Sequence, residues 1–420
     1  MAFTPEELQQ LQDLVDERVE ARRAPFSGEE YRARLARLRA AMTAAGVDLV
    51  LLSSPESQCW LHGYQARWYR TGSSTAWPPV NFTAVHRDHD RLIVFDTQDH
   101  AHLIAFTSIA TDLRHPAGGD PDLDGAHAYV LEALAAETPS WLSGTVGIEK
   151  WSPRQNAATT DNLATQLQRR DLAVRDVSVM LRALQSIKSD EEIALIRAAS
   201  LILDRAYARL EQVLKPGMTE RQVWALMETY MADEGGETSA LHNTVSRTRN
   251  YCHALSGDRP IGQGQLLLDP CAVLHRYHAN TARQFFLGKA VPDALQRASS
   301  VAAGALEVLL EFGKVGAAFS KVSDELQRYY EREGLWGIRD WIGGYQLGIA
   351  FPPDWVGEFT WSVEEDSADT RIIEHGLVTN FESFVGGAGF IDTIVFLDEA
   401  RGGTQVLSGR QRVICLIDNE

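Results

Sequence analysis

The sequence contains 420 residues, of which 45% are hydrophobic and 23% charged, and its formal net charge is −17. This length exceeds one compact core and favours two domains of ordinary globular composition. The acidic balance argues against nucleic acid as a partner, and no apolar run approaches the ~18 residues of a membrane span. The first residues lack a signal-like pattern and the four cysteines form no CxxC pair, so a cytoplasmic protein is expected.

The N-terminal part, residues 1–185, alternates helical and strand-like patterns. Residues 1–24 predict an acidic helical arm, and residues 29–46 predict a helix that ends at Gly46. Further elements are predicted in chain order as strands at 48–52, 81–85, 91–95 and 145–148, a helix at 154–169 and a strand at 172–177. This alternation is typical of an α/β domain with a mixed sheet.

The C-terminal part, residues 186–420, begins with two helices whose starts are marked in the sequence. Ser189 and Glu192 have the spacing of a capping box, and Thr219 and Gln222 repeat it. A helix, a glycine break and a second helix recur at 302–330. The C-terminal domain is therefore predicted to contain two related α/β halves.

Eight short segments of this domain resemble the creatinase/aminopeptidase P family in their order along the chain. They are KSDEEI at 188–193, KPGMTE at 215–220, YCH at 251–253, LLLD at 266–269, RYHANTAR at 276–283, GYQLG at 344–348, NFE at 380–382 and GFIDT at 389–393. The resemblance covers roughly residues 186–415. It implies a pita-bread catalytic domain with pseudo-two-fold α/β halves, preceded by a smaller creatinase-type α/β domain, so an α/β (α+β) protein overall.

The family's two-metal site is built from two Asp, one His and two Glu, and only two of these five ligands remain. Asp269 matches the first Asp and Glu382 the first Glu. The other three positions hold Asn280, Tyr345 and Ile391. An alignment shifted by one residue would put Asp392 in the last position and restore one carboxylate. Two carboxylates with neutral neighbours neither offset nor coordinate two divalent ions, so no metal and no cofactor are predicted.

Within the family, creatinase and ectoine hydrolase work with an eroded metal site, and two segments resemble the ectoine hydrolase branch. These are RYH at 276–278 and FPPDW at 351–355. Creatine is not expected as the substrate, because Gly357 beside Glu358 stands where creatinase has the arginine that binds the substrate carboxylate.

His253 and Glu382 are the predicted catalytic residues. His253 matches the family's substrate-binding His, and a histidine can act as base and then as acid near neutral pH. Glu382 lies in an apolar strand pattern, where burial raises the pKa of a carboxyl group and suits it to acid–base work. The alternative for Glu382 is a structural ion pair with Arg283.

Five further side chains are predicted to contact the substrate. Asp269 would end a buried strand and bind a cationic group or accept backbone hydrogen bonds, and Tyr345 would donate a hydrogen bond or simply pack. His278 and Asn280 alternate on the next strand and so point to one face. Glu358 completes the set.

The predicted activity is metal-independent hydrolysis of an amide or amidine C–N bond in a small polar molecule. The alternatives are a lyase using the same histidine, a metal-dependent Xaa-Pro peptidase, and a non-catalytic binding module. A homodimer is predicted, since family members complete their sites with the partner's N-terminal domain. An aromatic cluster would either project into the partner or form a core; its members are Trp60, His62, Tyr64, Trp68 and Tyr69.

Overall fold

The computed structural model describes residues 3–16, 23–67, 81–116, 122–152, 156–242, 244–246, 255–364 and 368–418. The chain divides into two compact units, Met1–Leu184 and Gln185–Glu420. Among the described helices, none is both long and apolar enough to span a bilayer.

The N-terminal unit contains a mixed six-stranded sheet, as predicted. Its elements are α1 (Pro5–Asp16), α2 (Gly28–Ala45), β1 (Leu49–Leu52), α3 (Pro55–His62), β2 (Phe82–His86), β3 (Leu92–Phe95), α4 (Ala101–Thr107), β4 (Leu113–Arg114), α5 (Leu123–Ala135), β5 (Thr145–Ile148), α6 (Ala157–Gln168), β6 (Ala173–Asp176) and α7 (Ser178–Ser186). The strand order is β4-β3-β2-β1-β5-β6, with β2 antiparallel to β1 and β3 and the other pairs parallel. Apolar side chains of this sheet and of α5 and α6 form one core.

Local sequence signals determine where α2 begins and ends. The hydroxyl group of Ser27 accepts a hydrogen bond from the Glu30 N–H, which satisfies one of the free donors of the first turn. Gly46 follows the last turn with a φ of 63°, a left-handed conformation that glycine adopts without steric cost. The predicted C-cap is confirmed.

The described members of the aromatic cluster are part of the interior of the N-terminal unit. Trp60, His62 and Tyr64 are each at most 1% exposed. His62 contacts the hydroxyl groups of Ser108 and Thr83 at 2.7 and 2.8 Å. Of the two alternatives, these three side chains therefore form part of a core and do not project into a partner, because the surrounding sheet and helices enclose them. Trp68 and Tyr69 lie outside the described residues.

The C-terminal unit consists of two helix pairs, each followed by antiparallel strands, which confirms the predicted two halves. The first half contains α8 (Asp190–Glu211), α9 (Glu220–Asp233), β7 (Thr244–Ser246), β8 (Gly264–Asp269), β9 (Cys271–Leu274), β10 (Tyr277–Asn280) and β11 (Arg283–Leu287). The second half contains α10 (Asp293–Phe312), α11 (Phe319–Arg332), β12 (Arg339–Tyr345), β13 (Thr360–Ser362), β14 (Val378–Val385), β15 (Ala388–Val395) and β16 (Gln405–Val406). The last strand, β17 (Cys415–Ile417), returns to the sheet of the first half, where it pairs parallel with β11. Both predicted capping boxes are present, at Ser189 and Thr219.

The register of β14 and β15 decides which side chains share a face. Their eight residues each are all buried, and the strands pair antiparallel with Glu382 opposite Ile391 and Asn380 opposite Thr393. Because side chains alternate along a strand, Asn380 and Glu382 lie on the same face of the five-stranded sheet β13-β12-β14-β15-β16. Asp392 lies on the opposite face from Ile391.

Candidate active site

Glu382 is a buried carboxyl group held by two neighbouring side chains. The Asn380 side-chain amide donates to Glu382 Oε1 at 2.7 Å, and the Tyr345 hydroxyl group also hydrogen-bonds this carboxyl group. Burial, together with the nearby Asp269 carboxylate, raises the pKa of Glu382 to about 8 despite these hydrogen bonds. The site therefore favours a carboxyl group that carries a proton near neutral pH.

Asp269 and Asn280 end two strands and meet through a hydrogen bond. Asp269 is the last residue of β8, as predicted, and Asn280 is the last residue of β10. The Asn280 side-chain amide donates to Asp269 Oδ1 at 2.8 Å. The hydroxyl group of Thr393 accepts from the Asn280 N–H and donates to its carbonyl oxygen, both at 2.9 Å, which ties this strand end to β15.

Tyr345 approaches the same group of side chains from the end of β12. Its backbone N–H donates to Asn380 Oδ1 at 2.8 Å, and its hydroxyl oxygen accepts from Trp355 Nε1 at 3.0 Å. Burial and the neighbouring carboxyl groups of Glu382 and Asp269 raise the pKa of Tyr345 well above its usual value, so its hydroxyl group remains a donor. Gly344 permits this approach, because a Cβ atom there would collide with the carbonyl oxygen of Asn380.

His278 is buried beside this site, but both of its ring nitrogens already have backbone partners. Nδ1 lies 2.9 Å from the carbonyl oxygen of Arg276, and Nε2 accepts from the Ala240 N–H at 3.0 Å. Burial, with a smaller contribution from Arg276, lowers the pKa of His278 to about 3, so the ring is neutral. A substrate could contact only the ring carbon atoms of His278, and the ring itself packs near Trp355.

The alternative in which Glu382 pairs with Arg283 is wrong. Arg283 is 2% exposed and its guanidinium group lies 2.7 Å from Asp392 Oδ1, while Arg412 Nε lies 2.7 Å from Asp392 Oδ2. Ile391 packs instead in a small apolar cluster with Leu267, Ala282 and Phe384. The shifted alignment therefore restores no carboxylate to the site, because Asp392 serves two arginines on the other face.

The remaining predicted site residues are placed as follows. Glu358 is exposed, beyond the buried Trp355. His253 lies outside the described residues, so its catalytic role stays a prediction. Asn380 is a member of the site that was not predicted. Its spacing of two from Glu382 was a usable signal, since polar residues at i and i+2 of a buried strand share a face.

The donors at this site do not fit the family's pair of metal ions. In the part of the chain that the structure describes, no three or more His, Cys, Asp or Glu side chains are grouped so that they could hold a metal ion. The carboxyl groups of Asp269 and Glu382 accept instead from neutral amides. Hard divalent cations need several oxygen ligands, which this set does not provide.

A known protein-family model matches each of the two units. The family model described as "Metallopeptidase family M24" matches residues 194–404, just over half of the chain. The model described as "Creatinase/Prolidase N-terminal domain" matches residues 34–187. The chain belongs to metallopeptidase family M24 and carries the creatinase/prolidase type of N-terminal domain.

Individual relatives support the same assignment. Ectoine hydrolase of Halomonas elongata is 24% identical over 394 residues, covering 85% of this chain and 89% of that protein. The X-Pro aminopeptidase structure from Thermotoga maritima superposes with a TM-score of 0.72 at 17% identity, covering 90% of this chain and all of that one. The N-terminal domain of the FACT complex subunit SPT16 from Cicer arietinum superposes with a TM-score of 0.66 at 17% identity, covering 92% and 98%.

These matches confirm the predicted family, the predicted pita-bread fold and the prediction that the chain is an enzyme, of the hydrolase type. The two structural likenesses establish the fold alone, because their sequences have diverged too far to carry an activity.

Proposed function

We propose that this protein is a metal-independent hydrolase that cleaves an amide or amidine C–N bond of a small polar molecule. The observation that carries the proposal is the buried set of two carboxyl groups joined by neutral amides, at the place where the family holds metal ions. The similarity to ectoine hydrolase supports the choice of bond, since ectoine is a cyclic amidine.

In this proposal His253 supplies the acid–base chemistry. It takes a proton from water as the water oxygen attacks the amide or amidine carbon, and the C=O or C=N electron pair moves to the heteroatom. It then gives the proton to the leaving nitrogen as the tetrahedral intermediate collapses: an oxygen lone pair forms the C=O bond of the product and the C–N bond breaks. Without a metal-bound hydroxide, the histidine itself must activate the water, so the rate is expected to titrate near pH ~6–7.

Glu382 has the complementary role in the proposal. A buried, hydrogen-bonded carboxyl group can stabilise the charge that develops on the heteroatom or pass a proton to it. Tyr345 holds this carboxyl group from the side of Trp355. Asp269 remains the candidate for binding a cationic group of the substrate, and the exposed Glu358 remains a candidate substrate contact.

Purified protein is expected to keep its activity after exhaustive chelation, because the described donors coordinate a divalent cation poorly. Elemental analysis and turnover of ectoine, creatine and a Leu-Pro dipeptide would be measured before and after chelation. We expect substoichiometric metal, hydrolysis of the amidine, and little turnover of creatine or the dipeptide.

Near-stoichiometric iron, manganese, zinc or cobalt, with activity lost on chelation and restored by that ion, would refute metal independence. Cleavage of the dipeptide alone would favour the Xaa-Pro peptidase. No turnover of any compound would favour the binding module.

We also propose that the protein is a homodimer. Light scattering at micromolar concentration is expected to give twice the chain mass of 46.6 kDa. The reason is the resemblance to family members whose sites are completed by the partner's N-terminal domain. A stable species of 46.6 kDa across that concentration range would contradict it.

A further inference from the structure

The two carboxyl groups of the site are the ends of one continuous hydrogen-bonded chain. From Glu382 Oε1 the chain runs 2.7 Å to the amide nitrogen of Asn380. The same nitrogen donates to Asn280 Oδ1 at 3.2 Å. The Asn280 amide nitrogen then donates to Asp269 Oδ1 at 2.8 Å and to the Pro270 carbonyl oxygen at 3.0 Å.

Both amides can take only one orientation in this chain. Each NH₂ group has two hydrogens, and each has two acceptors within hydrogen-bonding distance. Asn380 Oδ1 in turn accepts from the Tyr345 N–H. Flipping Asn380 would put its oxygen against the Glu382 carboxyl group and its NH₂ against the Tyr345 N–H. One N–H of each amide therefore faces a carboxyl group.

We propose that the side-chain amides of Asn280 and Asn380 take the place of metal ions in this site, with Asn380 as the positioning residue for Glu382. Two buried carboxyl groups need partners for their oxygen atoms, and a divalent cation would supply that partner if both groups were ionised. Here two N–H bonds take that place, one from Asn380 to Glu382 and one from Asn280 to Asp269, and they fix the carboxyl orientation. The inference deepens the proposed function and rests on it only for the role of Glu382.

The positions of Asn280 and Asn380 in the strands allow their side-chain amides to take the place of metal ions. Both residues are 0% exposed, so their amides cannot exchange the carboxyl partners for water. Thr393 fixes the main chain of Asn280, and Gly344 lets the backbone of Tyr345 reach Asn380. An oxygen in place of either amide nitrogen would lie within about 3 Å of a carboxyl oxygen, a contact that only a proton or a cation relieves.

The test is calorimetric titration of Mn²⁺ into chelated, full-length protein without substrate. Wild type is expected to show no saturable binding at this site. The variant Asn280→Asp/Asn380→Asp presents four carboxyl groups and is expected to bind Mn²⁺ saturably, with a Kd at least ~10-fold below the highest Mn²⁺ concentration at which wild type shows no binding. Added Mn²⁺ should also raise the unfolding temperature of the variant.

Ser383→Ala is the matched control, because Ser383 neighbours Glu382 on β14 but bonds to Tyr330 and Ala302 on the opposite face. It should leave Mn²⁺ binding as in wild type. If the double variant does not fold, Asn280→Asp alone carries the comparison. Saturable Mn²⁺ binding by wild type, or a folded variant that gains none, would overturn the inference. Because no substrate is present, this outcome is independent of which bond the enzyme cleaves.

Discussion

Replacement of His253 by Ala, or of Glu382 by Gln, is expected to reduce kcat by ~10²–10⁴-fold while the fold stays intact. The His253→Ala variant lacks the base that activates water. The Glu382→Gln variant keeps the shape of the side chain but can no longer stabilise developing charge through an acidic group or transfer a proton. The measurement is kcat and KM of each variant with the turned-over compound. A loss in kcat with a nearly constant KM identifies an interaction made in the transition state.

Glu374→Gln provides the matched control for Glu382, since Glu374 is exposed just before β14. It should behave as wild type. Wild-type activity in either site variant would remove the proposed mechanism. Retention of about half the activity would likewise be far outside the expected range.

Stability against pH separates a catalytic effect of Glu382→Gln from misfolding. The folded-state pKa of Glu382, about 8, lies above its usual value of 4.5 because of burial and Asp269. Its protonated form is therefore favoured by folding, and that contribution is lost as pH rises through 8. Glutamine cannot ionise, so the variant should be at least as stable as wild type above pH 8.

Much of the fold was predictable because it depends on local rules. Gly46 and the Ser189 capping box mark helix ends through the conformational and hydrogen-bonding properties of those residues alone. The short apolar runs correctly gave five of the six strands of the N-terminal sheet to within one or two residues, and missed only the two-residue strand β4. The two-carboxylate site was also visible, since Asp269 and Glu382 stand in motifs whose order resembles a known family.

The contacts across the site were not predictable, because they depend on strand register between distant segments. Asn380 meets Asn280 across 100 positions of sequence. Arg283 pairs with Asp392 and not with Glu382, a choice set by the pairing of Glu382 with Ile391. A one-residue difference in register would have exchanged the faces of Ile391 and Asp392. The sequence around Trp60 likewise did not indicate whether this side chain would be buried inside the N-terminal unit.

This same register leads to a second large effect, on stability. Asp392→Asn is expected to lower the free energy of unfolding of the C-terminal unit by ~3–5 kcal/mol, the usual cost of breaking a buried ion pair by removing one partner. Asp392 is 2% exposed and binds two guanidinium groups, those of Arg283 and Arg412, at 2.7 Å each. Asparagine keeps the shape but turns an NH₂ group toward one arginine, which leaves a buried cation without its counter-charge.

Chemical denaturation of wild type, Asp392→Asn and Asp398→Asn measures this effect. Asp398 pairs with His375 at 3.0 Å in an exposed position, so its loss should cost ~1 kcal/mol or less. Glu382→Gln should not reproduce the loss, because Glu382 has amide and hydroxyl partners rather than a cation. If Asp392→Asn were as stable as wild type while Glu382→Gln unfolded readily, Glu382 would be the counter-charge of Arg283. The assignment of Glu382 to the catalytic face would then fail with it.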